Sequence, residues 1–391
     1  MKQIITSEKQ PIKLWLDDIE SGALEQARNL ANLPFVHKHI AVMPDAHLGY
    51  GMPIGGVMAT EDMIIPNAVG VDIGCGMCAV QTSLQDISRE KLNHIMGLVR
   101  SAVPLGFKHH KNKQNKSLMP KTPSGIPVSD MPIVSQEFQH ALTQLGTLGG
   151  GNHFIEIQKG SDDHIWVMIH SGSRNIGFKV ANYYNRLAIE LNSKWGSSIP
   201  KKWQLAFLPM DTEAGRNYFN EMKYCVDFAL ANRKMMMERI KDAFLAVTPP
   251  VFFQSFINIA HNYAAMETHY HKKVFVHRKG ATRAMDGEMG IIPGSQGTPS
   301  YIVKGKGNEE SFSSCSHGAG RTMGRKQAQK QLDLQYEQKR LDDQNIIHSI
   351  RSRRDLDEAS SAYKDIDKVV ENQLDLVEVV VELKPLAVIK G

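Results

Sequence analysis

The residues most able to do chemistry cluster first in Val71-Asp72-Ile73-Gly74-Cys75-Gly76-Met77-Cys78. A carboxylate and a thiol stand three positions apart there, with a second thiol three further on. Carboxylate oxygen and cysteine sulfur form a hard/soft ligand pair for a transition metal, and the intervening glycines let backbone approach an ion closely. Ala68, Val69, Val71, Ile73 and Met77 make the surroundings apolar. Without a metal, the same stretch is a buried strand end with two inert small residues, so the rest of the chain must discriminate.

Sixteen histidines are present, and only their context gives them weight. His153 follows Gly149-Gly150-Gly151 at the start of a strand-like run. His170 ends the apolar run Ile165–Ile169 and precedes Ser171-Gly172-Ser173-Arg174. His261 follows Phe256–Ala260 and precedes Asn262, and His317 lies in Ser316-His317-Gly318-Ala319-Gly320-Arg321. Each sits at the mouth of an element beside small residues. One such histidine is ordinarily structural. Four of them with Asp72 and Cys75 offer the N, S and O donors that a catalytic transition metal needs.

Anion-binding signals are separate. Gly146–Gly151 is not a Walker loop, because no Gly-Lys-Ser/Thr follows, and it does not fit the dinucleotide fingerprint. Pro293-Gly294-Ser295-Gln296-Gly297 and Gly318-Ala319-Gly320 are amide-rich turns suited to anions. Arg174, Lys279, Arg321 and Arg325 accompany these turns, and guanidinium forks match phosphate oxygens. The spacing of Arg321 and Arg325 predicts one face of a helix. Residues 107–121, with Lys108, His109, His110, Lys111, Lys113, Lys116 and Lys121, lack apolar periodicity. They predict a solvated mobile loop, a nucleic-acid contact being the alternative.

The elements that must position these groups read as a mixed α/β chain. A short strand and a helix are predicted over 12–33, and the Gly/Pro-dense stretch 39–80 predicts short strands joined by tight turns. Helices are predicted over 86–100, about 212–244 and about 321–354. Strands are predicted over 152–157, 165–169, 274–277 and 301–303, and a Val-rich stretch 374–383 ends near Pro385. The site-like segments span nearly all 391 residues, which predicts one interwoven domain, 1–391. A net charge of +5, from 46 basic and 41 acidic residues, suits an anionic partner. Four cysteines do not make a disulfide framework, the N-terminal stretch carries no apolar leader, and no run approaches about 18 apolar residues. The expectation is a cytoplasmic protein with no membrane partner.

Taken together, Pro44-Asp45-Ala46-His47-Leu48-Gly49, Val69–Met77, Gly151–Glu156, His170–Arg174, Arg278–Ala281, Ile292–Ser295 and His317–Arg321 closely resemble the signature blocks of the RtcB family. Tyr363–Asp367 and Lys390-Gly391 fit as well, and the resemblance covers the chain in order. It implies a GTP- and manganese-dependent RNA ligase with an α/β (α+β) fold, built around a central dinuclear metal and nucleotide pocket with peripheral helices. Such an enzyme joins an RNA 3′-phosphate or 2′,3′-cyclic phosphate end to a 5′-hydroxyl end, in tRNA splicing or RNA repair. It works through a guanylylated histidine and an RNA-3′-pp-G intermediate.

Carried over by motif, the resemblance implies His317 as nucleophile with Asp45 beside it. It implies Asp72, Cys75, His153, His170 and His261 as ligands of two manganese ions bridged by the Cys75 thiolate. Guanylate contacts are expected from Asn152, Phe154, Ile155, Glu156, Asn262, Pro293, Gly294, Ser295, Gln296, Ser300, Gly318, Ala319, Gly320, Tyr363 and Lys390. Glu156 and Lys390 are expected to read the guanine edge and Tyr363 to stack on the base. RNA ends are expected to meet Arg174, Lys279, Arg321 and Arg325, and Cys78 is left as a packing residue. Gln296, Tyr50 and Ala46 depart from the residues usual in the family; Tyr50 bears on substrate preference because it replaces a basic side chain. Two other readings keep the same residues: a metal-dependent nucleotide phosphohydrolase, with water as nucleophile, and a non-catalytic RNA-binding relative.

Overall fold

An antiparallel sheet and a mixed sheet, in which Ile12–Leu14 runs parallel to Val36–Tyr50, pass one into the other through a single residue. The computed structural model describes residues 1–391, the side chain of Ser124 excepted. A seven-stranded sheet runs in the order Phe253–Ala260, Gly76–Thr82, Ile165–Ser171, Phe154–Gly160, Val377–Lys390, Ser300–Gly305, Met289–Ile292. A six-stranded sheet runs Gln3–Ile5, Ile12–Leu14, Val36–Tyr50, Met52–Thr60, Lys272–Lys279, Asn262–His269. The chain leaves the first sheet at Ala260 and enters the second at Asn262, so His261 alone joins them.

Antiparallel pairing decides where the functional residues go. Successive strands alternate direction, so C-terminal ends of some lie beside N-terminal ends of their neighbours. Ala260 pairs with Gly76, Gly76 with Ser171, His170 with Phe154, and Phe154 with Lys390. His261, Cys75, His170, His153 and Lys390 therefore gather at one end of the large sheet, although up to 315 positions separate them, as 390 minus 75. The two-stranded pair Ala281–Arg283 and Ser314–Ser316 carries His317 to the same place, directly after the Lys272–Lys279 strand.

The helix Glu213–Val247 supports that end from below. Thr212 caps its first turn, accepting a hydrogen bond from the Gly215 amide. Its inner face is apolar at helical spacing, with Met222, Cys225, Phe228, Ala229, Met236, Ile240 and Phe244 buried. Apolar cores pack on both sides of it. Val180, Tyr184 and Phe138 join one, and Val80, Val167, Ile155 and Leu92 join the other.

Several expectations change. The Gly/Pro-dense region forms a fifteen-residue strand, Val36–Tyr50, because bulges between Val42 and Tyr50 absorb its irregularities without ending the pairing. The stretch 321–354 is two short helices, Arg325–Gln331 and Leu334–Asp342, followed by irregular chain. Arg321 precedes the first of them, so the two arginines do not share a helix face. The last strand does not stop near Pro385: a bulge between Pro385 and Ala387 accommodates the missing amide, and pairing continues to Lys390. The loop 107–121 is tied down, with the His110 amide donating to the Thr143 carbonyl and the Gln114 amide to the Leu142 carbonyl. Helices Pro132–Gln144 and Arg174–Lys194 lie outside the predicted ones, although Ile133, Val134, Phe138, Ala141 and Leu142 in one and Ile176, Val180, Tyr184 and Ala188 in the other recur at helical spacing.

Candidate active site

The donors of Asp72, Cys75 and the three histidines converge in two overlapping triads. Cys75, His170 and His261 form one and Asp72, Cys75 and His153 the other, the donor atoms in each lying within 4.8 Å of one another. Cys75 Sγ is 3.2 Å from His170 Nε2 and 3.4 Å from His153 Nε2. His170 Nε2 lies 3.4 Å from His261 Nε2, and Asp72 Oδ2 lies 3.3 Å from His153 Nε2.

The surrounding backbone prepares these rings as ligands. His153 Nδ1 donates to the Leu148 carbonyl at 2.9 Å and His170 Nδ1 to the Asn152 carbonyl at 3.1 Å, which turns each Nε2 toward the cluster, where that of His153 meets Asp72 Oδ2 as a hydrogen-bond partner. Burial holds the His170 and His261 imidazoles well below the usual histidine range, so both are neutral. Burial works against ionisation of Asp72, but the contact with His153 outweighs it and brings the carboxyl down to about 2. Burial, reinforced by the Asp72 charge, pushes the Cys75 thiol well above its ordinary value. A bound cation reverses that last effect, since coordination deprotonates a thiol outright. The set thus offers the N, S and O donors that suit a borderline transition metal.

Close approach at this cluster demands glycine at two places. A Cβ on Gly74 would meet Val226 Cα at 2.8 Å, and one on Gly149 would meet His153 Nδ1 at 2.5 Å, and both residues have positive φ. Arg174 reaches past Gly149 to donate to Thr147 Oγ1 and to the Gly106 carbonyl, both at 3.1 Å.

His317 stands beside the cluster, its ring centroid 4.7 Å from that of His261. Its Nδ1 donates to Asp45 Oδ2 at 2.6 Å, and its backbone amide donates to the same oxygen at 3.2 Å. Asp45 is fully buried at the bulge of the Val36–Tyr50 strand, which turns its carboxylate toward the imidazole. His317 Nε2 is thereby left to carry the ring's lone pair. His317 lines two cavities at once. One, of about 610 Å³, holds Asn152, Phe154, Glu156, Pro293, Ser295, Tyr363 and Lys390; the other, of about 1170 Å³, holds Asp72, Cys75, His261, Asn262 and Lys279.

Comparison with known proteins settles the family. The family model described as "tRNA-splicing ligase RtcB" matches residues 26–391. The chain belongs to the RtcB family. It is 39% identical to the "RNA-splicing ligase RtcB" of Escherichia coli, over 100% of this chain and 99% of that one. It is 34% identical to the "tRNA-splicing ligase RtcB" of Thermococcus kodakarensis, covering 95% and 92% of the two chains. The "RNA-splicing ligase RtcB homolog 1" of Entamoeba dispar is 33% identical, with 95% and 82% covered.

Against the residues expected from RtcB resemblance, the smaller cavity gathers most of the proposed guanylate contacts. Gly318, Ala319, Gly320, Gly294 and Gln296 also line it. Ser300 is buried behind it, its Oγ accepting from the Gly294 amide and from Gln158 Nε2, both at 3.1 Å. Asn262 lines the larger cavity and braces it, donating to the Asp72 carbonyl and accepting from the Gly280 amide. Ile155 lies in the apolar core, because alternation on its strand turns it from the face that carries Phe154 and Glu156. Lys279 is almost fully buried, its Nζ donating to the Tyr50 and Asn67 carbonyls, and burial lowers it to about 7. Cys78 packs in the core with Val80 and Ile95.

Two residues matter that the motifs did not single out. Glu358 collects four of the expected contacts: Arg321 Nη1 at 3.0 Å, Arg325 Nε at 2.8 Å, Lys390 Nζ at 3.7 Å, and the Tyr363 hydroxyl. Burial opposes its charge, but Lys390, Arg321 and Arg325 prevail and hold its carboxyl at about 2. Tyr363 lies beneath the Arg321 guanidinium, 5.0 Å from ring centroid to Cζ. Arg233, on the long helix, is fully buried and donates to the carbonyls of Gly74, Ser171 and Ile259 at 3.0, 2.8 and 3.1 Å. Those carbonyls adjoin Cys75, His170 and the His261 segment, so one guanidinium ties together three strand ends. A buried Arg in an otherwise apolar helical stripe was the available signal.

Proposed function

We propose that this chain, acting as one unit over 1–391, is an RNA ligase that joins 3′-phosphate or 2′,3′-cyclic phosphate ends to 5′-hydroxyl ends at the expense of GTP. The observation that carries the reading is His317, held by Asp45 at 2.6 Å in the wall between a nucleotide-sized cavity and the cavity of the Cys75 cluster. A phosphohydrolase would use the same Asp45-held imidazole as a general base on water, so a covalent guanylate is what separates the two readings. The relatives named RNA-splicing or tRNA-splicing ligase support RNA as the substrate.

In this mechanism Asp45 keeps the Nδ1 proton in place, and His317 Nε2 attacks the α-phosphorus of GTP. A nitrogen–phosphorus bond forms as the bond to the pyrophosphate oxygen breaks. An oxygen of the RNA 3′-phosphate then attacks the same phosphorus, the nitrogen–phosphorus bond breaks, and RNA-3′-pp-G results. The 5′-hydroxyl finally attacks the RNA phosphate, losing its proton, and GMP leaves with the bridging oxygen. Asp72, Cys75, His153, His170 and His261 would hold two manganese ions, whose charge would offset that of the phosphates and polarise the attacked phosphorus. Glu156 and Lys390 bracket the guanine edge beside Phe154, and the Gly318, Ala319 and Gly320 amides donate to phosphate oxygens. Four free, buried cysteines suit a reducing cytoplasm, in which Cys75 stays a thiol.

The test is incubation with α-labelled GTP and manganese. A covalent, acid-labile guanylate that disappears in His317→Ala is expected. Release of label with no protein adduct would support the phosphohydrolase instead.

A further inference from the structure

Outside the cavities, the segment after Ser101 combines features that catalysis does not use. From Ser101 to Ser129 there is no Asp or Glu, while Lys108, Lys111, Lys113, Lys116 and Lys121 all fall within it. Lys113 Nζ donates to Gln139, and Lys116 lies over the Phe138 ring; among the described residues no carboxylate pairs with any of the five lysines. Phe107 is 99% exposed, so an aromatic ring stands in solvent with nothing packed on either face. A free ring of that kind makes no contribution to the core.

The backbone beneath this surface is fixed. Leu105 bridges to Gly149, the Gly106 amide donates to the Gly149 carbonyl at 2.9 Å, and the Leu148 amide donates to Pro104. Arg239 holds the next stretch through His110 Nε2 at 2.6 Å and Gln114 Oε1 at 2.9 Å. The Gly106 carbonyl is also the acceptor for Arg174 Nη2. Phe107 is therefore displayed one residue from the Arg174 contact, on chain bonded to the Gly149–Gly151 turn that leads into His153. Arg325 closes on the other side of that turn, its guanidinium about 3.3 Å from where a Gly151 Cβ would lie.

We propose that Leu105–Lys121 is a docking arm for single-stranded RNA: Phe107 stacks on an unpaired base, and Lys108, Lys111 and Lys113 take the flanking phosphates of a strand whose end enters beside Arg174. The inference rests on the ligase reading for the identity of its partner. Stacking on an exposed aromatic together with unpaired lysines is how proteins hold single strands without reading sequence. An acidic protein segment would use the lysines but leave Phe107 without a role.

The experiment uses the full-length protein and a short fluorescent single-stranded oligoribonucleotide bearing a 3′-phosphate, titrated at several salt concentrations. Phe107→Ala is expected to weaken binding about tenfold, with Phe107→Trp restoring it. The combined Lys108→Ser, Lys111→Ser and Lys113→Ser variant is expected to lower the slope of log affinity against log salt by about 2. Both variants should keep the melting temperature and form the guanylate adduct as the parent does. Parental RNA affinity in either variant overturns the arm. Failure of the parent itself to form an adduct would refute the ligase reading, and the oligonucleotide titration would still decide the arm.

Discussion

Asp45 Oδ2 lies 2.6 Å from His317 Nδ1 and accepts from the His317 amide as well, so a single carboxylate oxygen sets both the tautomer and the placement of the ring. Under the proposed mechanism Asp45→Asn leaves the ring in place but offers Nδ1 a partner that no longer demands a proton there. Adduct formation should slow by about a hundred- to ten-thousand-fold. Metal binding should be unchanged. The initial rate of label transfer to protein measures the first, and a metal titration the second.

Cys75 and Cys78 are both buried, yet only Cys75 faces the histidines. Cobalt substituted for the native metal should show a thiolate charge-transfer band in the parent and in Cys78→Ser, and none in Cys75→Ser. The Cys75→Ser protein should also retain fewer metal equivalents after dialysis, and stripping metal with a chelator should abolish adduct formation in the parent. A surviving thiolate band in Cys75→Ser would remove it from the ligand set.

Glu156 predicts a pH dependence. Burial raises its carboxyl to about 8, against the pull of Lys390 and the hydrogen bond from Gln158. The charged form is the one that accepts from a guanine edge, and it makes up about a tenth of the population at pH 7 and half at pH 8. Affinity for GMP should therefore rise about fivefold from pH 7 to pH 8, and Glu156→Gln should flatten the profile. Calorimetric titration at the two pH values separates these outcomes.

Arg233 joins the three strand ends that bear Cys75, His170 and His261. Arg233→Met removes the donors and strands three buried carbonyls, which should cost about 3 kcal/mol or more in chemical denaturation. Metal affinity should fall about ten- to a hundredfold, the usual penalty for losing a group that orients ligands. Arg233→Lys, with one donor centre in place of a fork, should recover only part of either quantity.

Much of this was legible in the chain. Strands such as Ile165–Ser171 announce themselves as continuous apolar runs, and the glycines flanking His153 and His317 mark places where backbone must come close. The RtcB motifs brought the distant histidines into one list before any geometry was known. Arg321 and Arg325 show where one-dimensional reading ended. Spacing put them on one helix face, whereas the partner that organises both is Glu358, more than thirty positions away and inside no recognised motif. Ile155 shows the converse: a motif names neighbours together, but the pleat sends alternate side chains to opposite faces. Arg233 stood out only as a charge within an apolar helical stripe; the carbonyls it binds leave no trace in residue type.

The single-residue passage from Ala260 to Asn262 leaves no slack in the chain. His261 works as a rivet through two plates: any sliding of one sheet over the other must drag its imidazole, and anything that grips the imidazole must lock the sheets. The sharpest crossing between the sheets and the metal-ligand candidates consequently share one residue.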